Sequence, residues 1–267
     1  MKKYVYILTV VLLVLVFGVS AFFVGSYIIE SREQAEKNAA LAALKDSVKE
    51  TAPTETEPQE TEPEGTFSAA EIRNENGMLV EYAEIYAQNP DLVGWIRIDG
   101  TPVNNPVMQT PDRPNFYLDH DFDGNSSEWG AIYAREECDI NAPSDNITLY
   151  GHNMLDGSMF SVVHDYIDRQ TWENNPLIFF DTLNEYHVYK IFAVFKTSAN
   201  LGEGFTYHNM IEAKDKADFD AFISKCKELS FYDTGVTPQY GDKVICLSTC
   251  EYTLMNGRLV MAAVRIS

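Results

Sequence analysis

Residues 243–266 read KVICLSTCEYTLMNGRLVMAAVRI. Two strand-like runs, Lys243–Thr249 and Leu259–Ile266, flank the connection Glu251–Gly257. Cys246 and Cys250 are separated by an even number of residues, so a strand places them on one face. Cys246 lies mid-run among apolar neighbours and reads as core. Cys250 ends the run, where a strand opens into a loop and scaffolds expose reactive groups. If the two runs form a hairpin, Cys250 and Arg258 flank its open loop and lie close in space. A guanidinium there favours a thiolate, or holds the oxyanion of an acyl transfer. The competing reading of Arg258 is a surface arginine paired with one of many carboxylates.

Working outward from this hairpin, further strand candidates are Val93–Ile98, Ala131–Ala134, Asn146–Tyr150, Leu177–Phe180 and Glu185–Thr197. Asp99-Gly100 marks a turn after the first of them. In the globular part, helical spacing runs over Ala69–Gln88, ended by Asn89-Pro90, and over Ala213–Leu229, with Phe219, Phe222, Ile223 and Cys226 on one side. Short strands, irregular spacing and few helices predict a small β-barrel or a sandwich.

A thiol nucleophile needs a proton partner, normally histidine. Of the five histidines, His120, His164, His187 and His208 lie in polar or mixed contexts. His152 follows an apolar run and a glycine in Ile147-Thr148-Leu149-Tyr150-Gly151-His152, a strand-end position like that of Cys250. The remaining cysteines read as bystanders. Cys138 sits beside Glu136, Glu137 and Asp139, whose charge raises a thiol pKa, and Cys226 lies on the apolar side of a helix. The chain holds no HExxH, no paired CxxC and no phosphate loop. Asp119–Gly124 imitates the start of a calcium loop, but the twelfth position is Gly130 instead of the bidentate glutamate, so the segment reads as an acidic turn.

The N-terminal part is organised differently. Lys2 and Lys3 precede an uncharged, mostly apolar run, Tyr4–Ile29. About 20 apolar residues span a bilayer. The positive-inside rule places residues 1–3 in the cytoplasm and everything after residue 30 outside. A cleaved signal peptide is the competing reading, with Val19-Ser20-Ala21 as its small-residue site, but the apolar run continues past it. Residues 30–65 read as a spacer. Ser31–Lys49 is an exposed helix or stalk, and Glu50–Gly65 is an acidic linker carrying ETEP twice, unable to bury enough surface to fold. A globular domain follows over residues 66–267.

The full chain of 267 residues carries 40 Asp and Glu against 20 Lys and Arg, a formal charge of −20. The first 65 residues contribute only −4 of it. Such acidity excludes a nucleic-acid binder, which needs a basic face. Four cysteines are too few for a disulfide scaffold.

Taken together these residues resemble the sortases, membrane-anchored cysteine transpeptidases of Gram-positive bacteria, and class B among them. The resemblance covers roughly residues 75–267. It rests on Asp91–Ile96, Gly100-Thr101 with Pro106-Val107, Phe116–Leu118 with His120–Phe122, Tyr150–Met154 with Gly157–Phe160, Leu247–Cys250 and Gly257-Arg258. Where class B members often read Asn-Ile-Asp-Tyr-Pro-Val, this chain has Pro102-Val103-Asn104-Asn105-Pro106-Val107 and lacks the aromatic residue.

The resemblance implies a closed β-barrel of about eight strands, with an N-terminal helix and the Ala213–Leu229 helix between late strands. It implies His152, Cys250 and Arg258 as the catalytic histidine, cysteine and arginine, with Ser248 and Thr249 shaping the substrate pocket. It implies no metal or organic cofactor. The expected partners are the C-terminal sorting signal of a secreted protein and an amine of a cell-wall precursor. Two alternatives are a pilin-polymerising enzyme that uses a subunit lysine and a non-catalytic membrane-tethered binding module on the same barrel. A hydrolytic cysteine protease differs only in whether water or an amine resolves the acyl-enzyme.

Overall fold

A computed structural model describes residues 2–51, 72–200 and 202–267. The first element, α1, is a helix over Lys2–Thr51. Among the described residues it holds the one stretch long and apolar enough, by length and composition, to cross a membrane. The predicted span Tyr4–Ile29 lies within it, and Ser31–Lys49 continues it without a break. The chain forms two compact units, Met1–Ala40 and Leu41–Ser267. In the second unit the end of α1 is not fully exposed. Leu41 is buried in a cluster with Leu79, Tyr82 and Trp95, and the Lys45 ammonium lies 4.6 Å above the Trp95 ring. The acidic linker lies outside the described residues, apart from Glu50 and Thr51 at the end of α1. The expected start of the globular domain at residue 66 lies outside them too.

The helix expected over Ala69–Gln88 is shorter, and its first three residues are not described. The helix α2 covers Val80–Gln88. Ahead of it the backbone turns at Gly77, where φ is +79°. The Asn74 carboxamide accepts the amides of Asn76 and Met78, and Arg73 bridges to Leu79. These bonds take the backbone groups that a longer helix would use.

The strands follow as β1 (Leu92–Arg97), β2 (Asn104–Met108), β3 (Ile132–Ala134) and β4 (Asn146–Tyr150). After a 3-10 segment and α3 (Arg169–Asn174) come β5 (Leu177–Thr182) and β6 (Val188–Ser198). Then α4 (Lys216–Leu229), β7 (Val244–Glu251) and β8 (Gly257–Arg265) complete the chain. They close into a barrel in the order β1-β2-β3-β4-β7-β8-β6-β5. This settles the choice between barrel and sandwich. Neighbours are antiparallel except β2 with β3 and β4 with β7. The last hairpin forms as expected, with Cys250 opposite Arg258. The strand β2 was not expected from sequence; it contains Pro106, which cannot donate to a ladder.

Side-chain alternation divides β7 and β8 between two environments. Val244 and Cys246, with Val260, Ala262 and Val264, pack under the Phe219, Phe222, Ile223 and Cys226 face of α4. The alternate residues Ile245, Leu247, Met261 and Ala263 point the other way, into the barrel, and are fully buried. Burying the four α4 side chains contributes about 1.5–3 kcal/mol for each large one. The helix begins after Ala213, whose amide goes to the Asp145 carboxylate, and Asp215 caps it by accepting the Asp218 amide. Ser248 and Cys250 continue the α4-facing side of β7 beyond the helix.

Candidate active site

Parallel pairing of β4 with β7 sets Tyr150 beside Ser248. Two residues beyond each partner lie His152 and Cys250, so the histidine and the cysteine leave the same end of adjacent strands. On its other side Cys250 faces Arg258 across the β7–β8 ladder. Directly opposed antiparallel residues have Cα atoms about 4.5–5.5 Å apart. His152, Cys250 and Arg258 all line one cavity of about 300 Å³. Ser248 and Thr249 line it as well, so the cavity gathers every site residue expected from sequence.

Local structure holds each group. The Gly151 amide donates to the Ser248 carbonyl at 3.2 Å, pinning the His152 loop to β7. A side chain at 151 would strike the Phe160 ring at 2.7 Å, so the close approach needs glycine. His152 Nε2 lies 2.6 Å from the Leu118 carbonyl oxygen. A carbonyl can only accept, so Nε2 carries a proton and Nδ1 is left to gain or lose one. Asn153 spans from this loop to the nucleophile strand, its amide 3.4 Å from the Cys250 carbonyl. The Arg258 guanidinium donates to the Gly257 carbonyl at 2.9 Å.

The β7–β8 connection is fixed from beneath. The buried Glu251 carboxylate accepts the Lys196 ammonium at 2.8 Å, the Thr253 hydroxyl at 2.7 Å and the Thr253 and Leu254 amides. Burial opposes its ionisation, but these donors outweigh burial and pull the carboxyl down to about 2. Gly257 lies against the same group; a Cβ there would fall 2.3 Å from the Glu251 carbonyl oxygen.

The four thiols differ in environment. Cys138, Cys226 and Cys246 are buried, while Cys250 is partly exposed. Burial pushes the Cys138 thiol up to about 11 and raises those of Cys226 and Cys246 as well. For Cys138 the cause differs from the sequence expectation. Burial leads, and the neighbouring glutamates add less.

The cavity wall also holds groups that sequence did not single out. The Tyr207 hydroxyl and the Ser248 hydroxyl share a 2.5 Å hydrogen bond, so Ser248 is engaged within the protein. Burial raises the Tyr207 phenol, against a smaller opposite effect of that bond. Thr249 is buried, with its hydroxyl in no hydrogen bond among the described residues. His208 lines the wall beside Tyr207. No local pattern marks either residue, because both arrive from the β6–α4 connection through tertiary packing. The segment 102–107, which lacks the aromatic residue that the resemblance leads one to expect, contributes nothing to the cavity wall. The acidic turn is a turn, with the Asp121 carboxylate accepting the Asp123 and Asn125 amides of its own loop.

Residues 96–266 match the sortase domain family. The chain is 31% identical over 196 residues to a sortase B of Listeria monocytogenes, spanning 72% of this chain and 77% of that one. It is 32% identical over 181 residues to a sortase B of Staphylococcus aureus, spanning 66% and 70%. The barrel also superposes on a Staphylococcus aureus sortase B–substrate complex with a TM-score of 0.74. That match has 23% identity and covers 90% of this chain and 99% of the other. The chain belongs to the sortase family, whose members are cysteine transpeptidases. Within the family it is of the class B type.

Proposed function

We propose that this enzyme cleaves a threonine-containing C-terminal sorting signal of secreted proteins and joins the acyl half to an amine of a cell-wall precursor. The observation that carries the reading is the meeting of Cys250, Arg258 and His152 at the ends of three neighbouring strands, in one cavity. The Cys250 thiolate attacks the carbonyl carbon after threonine. The Arg258 guanidinium holds the resulting oxyanion. His152, as imidazolium, gives its Nδ1 proton to the departing amine, and a thioester remains on Cys250. The incoming amine then attacks the thioester. His152 takes back a proton, an amide forms and the thiolate is regenerated. Ser248 and Thr249 shape the wall against which the acyl half lies. The chemistry needs only these side chains.

The apolar part of α1 anchors the protein, with residues 1–3 in the cytoplasm and the catalytic domain, residues 66–267, outside. Supporting this are the length and apolarity of the helix and the two lysines before it. Residues 30–65 then set the reach of the domain from the bilayer. Such an arrangement brings enzyme and substrate out of the same membrane. The test is mass spectrometry of products formed by the full-length protein from threonine-containing peptides, with a cell-wall amine and a lysine amine both offered. A thioester-dependent amide product that disappears in Cys250→Ala supports the reading. Cleavage that persists in that variant overturns it.

A further inference from the structure

His208 has no assigned task in the acyl transfer, yet it stands in the wall of the same cavity. It is half-buried, and its ring nitrogens make no hydrogen bond to any described residue. Its ring stands edge-on to that of Tyr207, with centroids 5.1 Å apart. The backbone around it is bolted in place. Tyr207 is tied to Ser248, and the buried Asn146 carboxamide donates to the carbonyls of Tyr207 and Met210 at 3.1 and 2.8 Å. The Asn146 amide donates to Ile211 at 3.0 Å. A backbone held this firmly presents the imidazole, with open donor capacity, to a ligand group.

The charges around the ring say which group. Its depressed pKa comes from burial first, then from Arg135 and Arg258, with Glu137 opposing. That glutamate is itself engaged, its carboxylate 2.9 Å from Arg135 Nε. The described residues of the cavity wall include no aspartate or glutamate, in a chain with a formal charge of −20. The cavity is thus a cationic recess in an acidic protein. A ligand carboxylate would meet the His208 N–H and the Arg258 guanidinium in a wall without a carboxylate of its own, while the field of Arg135 is offset by its partner Glu137.

We infer that His208 is a specificity-determining residue that selects sorting signals bearing a carboxylate side chain on the N-terminal side of the cleaved threonine. The N-terminal side follows from the chemistry. That half stays attached as the thioester and must be held until the amine arrives, whereas the other half leaves. The inference rests on Cys250 being the acyl-forming thiol.

The experiment offers full-length protein a set of threonine-containing peptides, with Glu, Gln, Leu or Lys at each of the three positions before threonine. Glu is expected to exceed Leu in kcat/KM by about tenfold or more at one of these positions. In His208→Leu that ratio should fall to within about threefold of unity, and His208→Arg should restore it. Binding of the same peptides to Cys250→Ala, followed by calorimetry, separates recognition from chemistry. Preferential binding of the Glu peptide that is lost in Cys250→Ala/His208→Leu supports the inference even if no peptide is cleaved, a result that would instead sink the proposed function. Cleavage or binding with no acidic preference, or a preference unchanged in His208→Leu, overturns the inference.

Discussion

Ser248 and Tyr207 share a 2.5 Å hydrogen bond that ties the strand carrying Cys250 to the connection ahead of α4. Both residues are buried, so neither hydroxyl has water as a substitute. Removing one partner strands the other. Ser248→Ala or Tyr207→Phe alone should cost about 1–3 kcal/mol in urea unfolding. The double variant should cost clearly less than the sum, because no polar group is then left orphaned. Additive losses would show that the two hydroxyls act independently.

Cys250→Ala should lower peptide cleavage by at least about 10³-fold while the unfolding midpoint stays near that of the parent. A thiol-directed reagent applied to the folded protein, followed by peptide mapping, should modify Cys250 and spare Cys138, Cys226 and Cys246. Those three are buried with raised thiol pKa values. Modification of Cys138 at a comparable rate would contradict this division of labour.

Arg258→Ala should reduce kcat by about 10²–10³-fold with a smaller change in KM, since an oxyanion exists only along the reaction path. Arg258→Lys should recover only part of the loss, because an ammonium cannot reproduce the planar fork. A pure KM effect would reassign the arginine to substrate binding.

The Glu251 carboxyl is held at about 2, below the ordinary value near 4.5. The unfolded chain therefore binds its proton first as pH falls, and stability drops from about pH 4.5 downward until the folded group titrates too. Between pH 6 and pH 3 the parent should lose more stability than Glu251→Gln, which has no proton to take up. Parallel denaturation curves for the two proteins across that range would refute the assignment.

Gly151→Ala places a methyl group against the Phe160 ring and so pushes on the segment that presents His152. The expected cost is about 1–3 kcal/mol from overpacking, with a fall in kcat that exceeds what the lost stability explains. Gly151→Ala/Phe160→Leu, which opens space, should regain part of both.

Much of this was legible in the chain because it depends on local pattern. The last hairpin, the strand ahead of His152 and the apolar face of α4 each announce themselves by periodicity. The apolar half of α1 does so by length. Pro106 hid β2, since a strand proline reads as an interruption; only the barrel supplies the partners, Trp95 across the ladder among them. The turn at Gly77 shortened α2, because the Asn74 side chain captured amides that spacing alone would give to a helix. Tyr207 and His208 were invisible for a different reason. Their place in the site comes from Asn146 and Ser248, which lie 61 and 41 positions from Tyr207.

The parallel pairing of β4 with β7 also bears on timing. His152 is synthesised 98 positions before Cys250, and their strands meet only when the chain has been extended almost to its last described residues. Barrel closure further requires β8 to insert between β7 and β6. Contacts of such long sequence separation form late and slowly. A chain in which β7 and β8 have not yet formed therefore carries no assembled cleft. The thiol gains its arginine neighbour only when β8 has paired with β7, so a chain that has not yet formed that hairpin holds no complete site.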